Sequence, residues 1–150
     1  MNYSIALVQL PLIREASGEI VRKPEDAARV CADMQNLAQE ALHILTLDTK
    51  NHLINRHLVT LGLINSSQSH PREFYRPAIL DGACSVLAIH NHCSGDSAPS
   101  SEDINITKQL IEAGKIIGIP LLDHVIIGRP AEGRSGFFSM RESGMCDFSR

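Results

Sequence analysis

The sequence predicts an α/β domain: a mixed sheet with helices flanking it. Three observations carry this expectation. Two apolar stretches, ACSVLAI (83–89) and IPLLDHVIIG (119–128), are strand-length and largely lack polar alternation, so they read as strands buried on both faces. Between them SSEDINITKQLIEAGKIIG (100–118) reads as a helix. Its Ile104, Thr107, Ile111, Gly114 and Gly118 recur every three or four residues, with Leu110 and Ile117 beside them. Finally, 150 residues with a 43% apolar fraction suffice for one self-sufficient core, expected to span residues 1–150 as a single domain.

The other elements follow in chain order. Residues 3–10 read as a short strand and 14–23 as a polar loop. Pro24 suits the first turn of a helix, and PEDAARVCADMQNLA (24–38) continues it. EALHILTLDTKNHLINRHLVTLG then carries two apolar stretches around Asp48-Thr49-Lys50-Asn51, a turn composition. This predicts a hairpin with strands at about 40–48 and 52–61. The helix formers in MQNLAQEALHIL leave a continued first helix as the alternative. HPREFYRPAILDG (70–82) reads as a short helix stopped by Gly82, while Gly118 and Pro120 stop the long one. GFFSMRE (136–142) is the last expected strand.

Composition excludes several function classes. Net charge is −3, pI is about 6.1 and aromatics make up 4% with no Trp, so neither an electrostatic nucleic-acid footprint nor a base-stacking platform is expected. The four cysteines form no CxxC pair and read as reduced thiols. MNYSIALVQLPLIRE has no basic leader region, its apolar run breaks at Gln9 and Pro11, and no later run spans a bilayer. The expectation is a soluble cytoplasmic chain with no membrane partner. The unusual count is histidine, with seven.

Two of the seven, His90 and His92, directly follow the first apolar strand. Side chains at i and i+2 of an extended chain point the same way, so both imidazoles can converge on one ion. Asp103, at the start of the long helix, offers a third ligand. Two histidines and one carboxylate leave a tetrahedral position open and suit zinc better than magnesium or calcium. A structural explanation competes: Ser100 and Asp103 also match a capping box, and the two readings are compatible. The letters HNH do not make an HNH nuclease, whose named residues are dispersed.

His90, His92, Ser100 and Asp103 satisfy the string HxH, seven residues, Ser, two residues, Asp, which resembles the JAMM motif of the JAB/MPN metalloprotease superfamily. HPREFYRPAI and HNHCSGDSAPSSEDINITKQLIEAGKIIGIPLLDHVIIG resemble long blocks of its bacterial RadC-like branch, with similarity over about 22–140. The resemblance implies a cytidine-deaminase-like MPN/JAB architecture and a zinc hydrolase acting on a peptide or isopeptide bond of a protein or peptide substrate. His90, His92 and Asp103 would hold Zn2+. Glu40, eight positions before Asp48, would stand at a strand start as the general acid/base, and Ser100 would hydrogen-bond the developing oxyanion or orient the water. Without the family, Glu40 is most simply a solvated helix-end carboxylate.

Two departures bear on this reading. Cys93 stands where the family usually has Pro, and packing is its expected role, with a soft extra ligand as the alternative. The helix-hairpin-helix-like region of full-length relatives finds no room here, so direct DNA contact loses its main element. Asp123-His124 either supports the ligands or pairs with backbone groups at a strand end. His70, Arg72 and Glu73 read as helix-start residues, Asn91 and Ser94 as turn hydrogen-bonders, and His43, His52 and His57 as structural or surface residues. A non-catalytic MPN-type interaction module and a DNA-repair or mobile-element accessory factor remain the competing functions.

Overall fold

The computed structural model describes residues 18–62 and 69–149. The strand expected at 3–10 and the first part of the loop expected at 14–23 lie outside the described residues. The described elements run α1 (Pro24–Val30), a 3-10 helix (Ala32–Asn36), β1 (Ala41–Leu47), β2 (Leu53–Leu61), α2 (Pro71–Asp81), β3 (Ser85–Asn91), α3 (Ser101–Ile117), β4 (Leu121–Ile127) and β5 (Phe137–Ser139). The five strands form one mixed sheet in the order β2-β1-β3-β4-β5. Only β3 and β4 are parallel, joined by the α3 crossover; the other neighbours are antiparallel.

The period-two alternation of the strands divides the core into two clusters. Leu42, Ile44, Val86 and Ala88 pack with Phe74, Tyr75, Ile106 and Leu110 of α2 and α3. Ala41, Leu45, Leu47, Leu87 and Ile89 pack with Ala27, Cys31 and Met34 of α1 and the 3-10 helix. The sheet is therefore covered on both faces, which is why the strand sequences lack polar alternation.

The hairpin is present, and the alternative of a continued first helix is not. β1 is paired on both edges, to β2 and β3, and nearly all of it is buried, so two hydrogen-bond ladders and two packed faces override the helix propensity of MQNLAQEALHIL. The first helix is also shorter than the expected 24–38. It ends at Val30, and the chain tightens into the 3-10 helix, which keeps Cys31 and Met34 fully buried before turning into β1. The described part of the expected polar loop is partly paired: Ile20 bridges to His52.

β3 begins and ends two residues later than the expected strand. His90 and Asn91 lie inside it, paired to Ile126 and Ile127 of β4 and, for His90, to Leu42 of β1. The last strand stops at Ser139, not 142, because the backbone N–H of Arg141 is captured by Asp123 and that of Glu142 by Ser139 Oγ. The helix stops fall where expected: Gly82 and Gly118 adopt left-handed caps, φ 60° and 81°, where glycine carries no Cβ penalty. Tyr75 Oη donates to the Leu110 carbonyl at 2.8 Å and lies against Gly114, where any Cβ would collide with it, so α2 holds α3 at close range.

Candidate metal centre

The parallel β3–α3–β4 unit puts the C-terminal end of β3 beside the start of α3, the position where open α/β sheets place their sites. His90 and His92, two apart, face α3. Asn91, between them, faces the other way. Ser100 caps α3: its Oγ accepts from Asp103 N at 3.2 Å, and Asp103 Oδ2 accepts from Ser100 N at 2.7 Å. That capping box fixes the direction of the Asp103 carboxylate. Asp103 Oδ1 lies 3.2 Å from His90 Nε2 and Oδ2 lies 3.1 Å from His92 Nε2. One ligand atom from each of the three residues falls within 4.8 Å of the others, a group that could hold a metal ion.

The donor set fits a divalent cation. His92 Nδ1 lies 2.8 Å from the Asp96 carbonyl, which can only accept, so Nδ1 carries the proton and the Nε2 lone pair is free for a metal. His90 is fully buried, and its Nε2 has no hydrogen-bond partner despite the nearby carboxylate. An orphaned buried nitrogen costs about 1–3 kcal/mol, a cost that ligation removes. Behind this group, His90 Nδ1 lies 2.8 Å from His124 Nε2, His124 Nδ1 lies 2.6 Å from Thr107 Oγ1, and Thr107 Oγ1 donates to the Asp103 main-chain carbonyl at 2.6 Å.

Burial raises the Asp103 carboxyl pKa, but the adjoining His90 and His92 imidazoles and the hydrogen bond from the Ser100 amide outweigh it and hold the group well below the usual carboxylate range. Burial disfavours charge on His92, yet Asp103, the Asp96 carbonyl and the charge of Glu40 together hold its pKa above the ordinary value. His124 is pushed down to about 3, chiefly by burial and then by the neighbouring His90, so it is neutral.

Glu40 directly precedes β1, half-buried, near enough to His92 to act on its charge. Its position is held through its neighbours: Asn91 Oδ1 accepts from Ala41 N at 2.8 Å, and Asn91 Nδ2 donates to the Gln39 carbonyl at 3.0 Å. Asn91 was expected in the turn; it is instead a buried cross-strand clamp, because its strand position points it at the 3-10 face. Ser94 does bond within the turn, accepting from Asp96 N. Cys93 packs, its Sγ 3.7 Å from the Leu37 carbonyl, and it is not part of the ligand group. Arg129 closes the loop from outside, donating to the carbonyls of Cys93 and Gln35, while its own N–H donates to Gly95 O at 2.8 Å.

The Asp123-His124 pair divides. His124 lies against His90 behind the candidate metal group, whereas Asp123 points to the opposite face and accepts from Ser139 Oγ, Arg141 N and His124 N. Adjacent strand residues cannot share a face. The hairpin histidines have structural partners: His43 with Arg56, His52 with Asp48 and His57 with Asp81. His70 caps α2 by accepting from Arg72 N, with Glu73 in the first turn. Thr107 and Arg129 were not singled out as site residues. Only the i, i+4 spacing from Asp103 to Thr107 pointed to the first of them.

A mixed sheet whose parallel pair presents a His-x-His strand end to a capped helix-start aspartate defines a JAB/MPN-class domain. The model of the RadC-like JAB domain matches residues 21–145, and the chain belongs to that family. It is 44% identical over 137 residues to a UPF0758 protein of Listeria monocytogenes, covering 91% of this chain and 59% of that protein. It is 48% identical over 126 residues to a UPF0758 protein of Geobacillus thermodenitrificans, covering 83% of this chain and 54% of that one. The chain thus spans little more than half the length of these relatives.

Proposed function

We propose that this domain is a zinc-dependent hydrolase that cleaves a peptide or isopeptide amide in a protein or peptide substrate. The observation that carries the reading is the convergence of His90, His92 and Asp103 around a buried His90 Nε2 with no hydrogen-bond partner. His90, His92 and Asp103 would hold the metal, two neutral nitrogens and one carboxylate suiting zinc. When bound, zinc supplies Lewis acidity toward water and the amide carbonyl.

The chain's own residues supply the rest. The Glu40 carboxylate takes a proton from the attacking water and returns it to the leaving nitrogen. Ser100 Oγ spends a lone pair on Asp103 N, which leaves its hydrogen free to donate to the developing oxyanion. Cap and oxyanion donor are thus compatible roles for one hydroxyl.

The test has two arms. Metal analysis of purified protein should find one zinc per chain, lost in Asp103→Ala. A peptide and isopeptide cleavage screen should find activity in the zinc-loaded wild type that falls at least 100-fold in Glu40→Gln, the scale of general acid–base catalysis. Protein without zinc at neutral pH, or Glu40→Gln as active as wild type, would overturn the corresponding assignment.

A further inference from the structure

We infer that His124 and Thr107 are positioning residues: a one-way hydrogen-bond relay holds His90 in the tautomer whose bare Nε2 faces Asp103. The direction of the relay follows from counting protons. The Asp103 main-chain carbonyl can only accept, so Thr107 commits its single hydroxyl hydrogen there, at 2.6 Å. Toward His124 Nδ1, also 2.6 Å away, Thr107 Oγ1 can then only accept. His124 therefore carries its proton on Nδ1. A second proton on Nε2 would make an imidazolium at a site with no solvent exposure and, among the described residues, no carboxylate bonded to the ring, a costly arrangement.

His124 Nε2 is consequently an acceptor, and His90 Nδ1, 2.8 Å away, must donate to it. The lone pair of His90 is left on Nε2, the buried atom without a hydrogen-bond partner. The sheet register makes this possible. Ala88 pairs with His124 and His90 with Ile126, so the two imidazoles lie on the same face of neighbouring strands, offset by two residues. Because the relay ends on the backbone of Asp103, it also joins the first histidine to the helix turn that carries the carboxylate. Metal-ligating histidines commonly donate their second nitrogen to an oxygen acceptor. Here a neutral imidazole takes that place, and it is a competent acceptor only while Thr107 holds its other nitrogen protonated.

The zinc-affinity part of the test rests on the hydrolase reading above; the tautomer part does not. Nitrogen-15 NMR of the imidazoles, on the full chain with and without zinc, reads the tautomers directly. The wild type should show His124 neutral with the proton on Nδ1. Thr107→Val, which keeps the shape and deletes the hydroxyl, should lose that signature and weaken zinc binding by about 10–100-fold. Thr107→Ser should restore both. Wild-type His124 protonated on Nε2 overturns the inference, and that measurement needs no variant to fold. So does a folded Thr107→Val protein with the wild-type tautomer and wild-type zinc affinity. A Thr107-dependent Nδ1–H signature in protein that binds no zinc upholds the relay and removes the hydrolase reading.

Discussion

Asn91 stands between the two candidate ligand histidines and serves neither. Its amide reaches across to the residues on either side of Glu40, giving one hydrogen bond and taking another. Asn91→Ala would leave the buried Ala41 N–H without an acceptor, and a buried orphan donor costs about 1–3 kcal/mol. An unfolding free energy lowered by that amount, read in urea as a lower midpoint with the slope unchanged, is the expected outcome. Cys93 makes the opposite prediction. Its thiol lies against the Leu37 carbonyl, outside the ligand group, and the loop it occupies is fastened by Arg129 and by His92 itself. Zinc stoichiometry in Cys93→Ser should therefore equal that of the wild type; loss of metal would make the thiol a ligand after all.

Among elements, the 3-10 helix matters beyond its length, because it leads the chain into Glu40. Arg56 of β2 ties it down, pairing with both Asp33 oxygens at 2.7 and 2.9 Å while its Nε donates to His43. The Arg56 guanidinium holds the Asp33 carboxyl below its ordinary value, burial only partly opposing it. A depressed carboxylate binds fewer protons in the folded state, so its contribution is intact at neutral pH and fades as pH falls below about 4. Asp33 is mostly exposed, and the effect should stay within about 1 kcal/mol. Asp33→Asn should narrow the difference in stability between pH 7 and pH 3 by that amount, measured by urea unfolding.

At the scale of the whole molecule, the candidate metal site joins two elements that the sheet alone leaves separate. Its candidate ligands come from the end of β3 and the first turn of α3, and the helix is otherwise held by packing, by Tyr75 and by the bond between Thr107 and His124. A metal that binds the native state and not the unfolded chain stabilises it by mass action, about 2.7 kcal/mol at one hundred times the dissociation constant. Thermal unfolding should shift upward with added zinc, and the shift should vanish in Asp103→Ala. Among the described residues no helix is long and apolar enough to cross a membrane.

Much of this was legible in one dimension. Strand-length apolar runs predict strands covered on both faces, and both β3 and β4 are. Spacing of two in a strand predicts a shared direction for His90 and His92, and the capping pattern at Ser100 predicts where Asp103 begins its helix. These are local consequences of backbone geometry, which a short stretch of residues determines by itself. What only the tertiary structure decided depends on partners distant in sequence. Two ladders made residues 41–47 a strand against their helix propensity. The register of β3 against β4 brought His124 to His90 and turned Asp123 away. The burial of β3 drew Asn91 out of the expected turn and brought its amide to the backbone on either side of Glu40. No pattern within a segment carries such choices, because the energy that settles them lies in contacts formed only when the sheet is assembled.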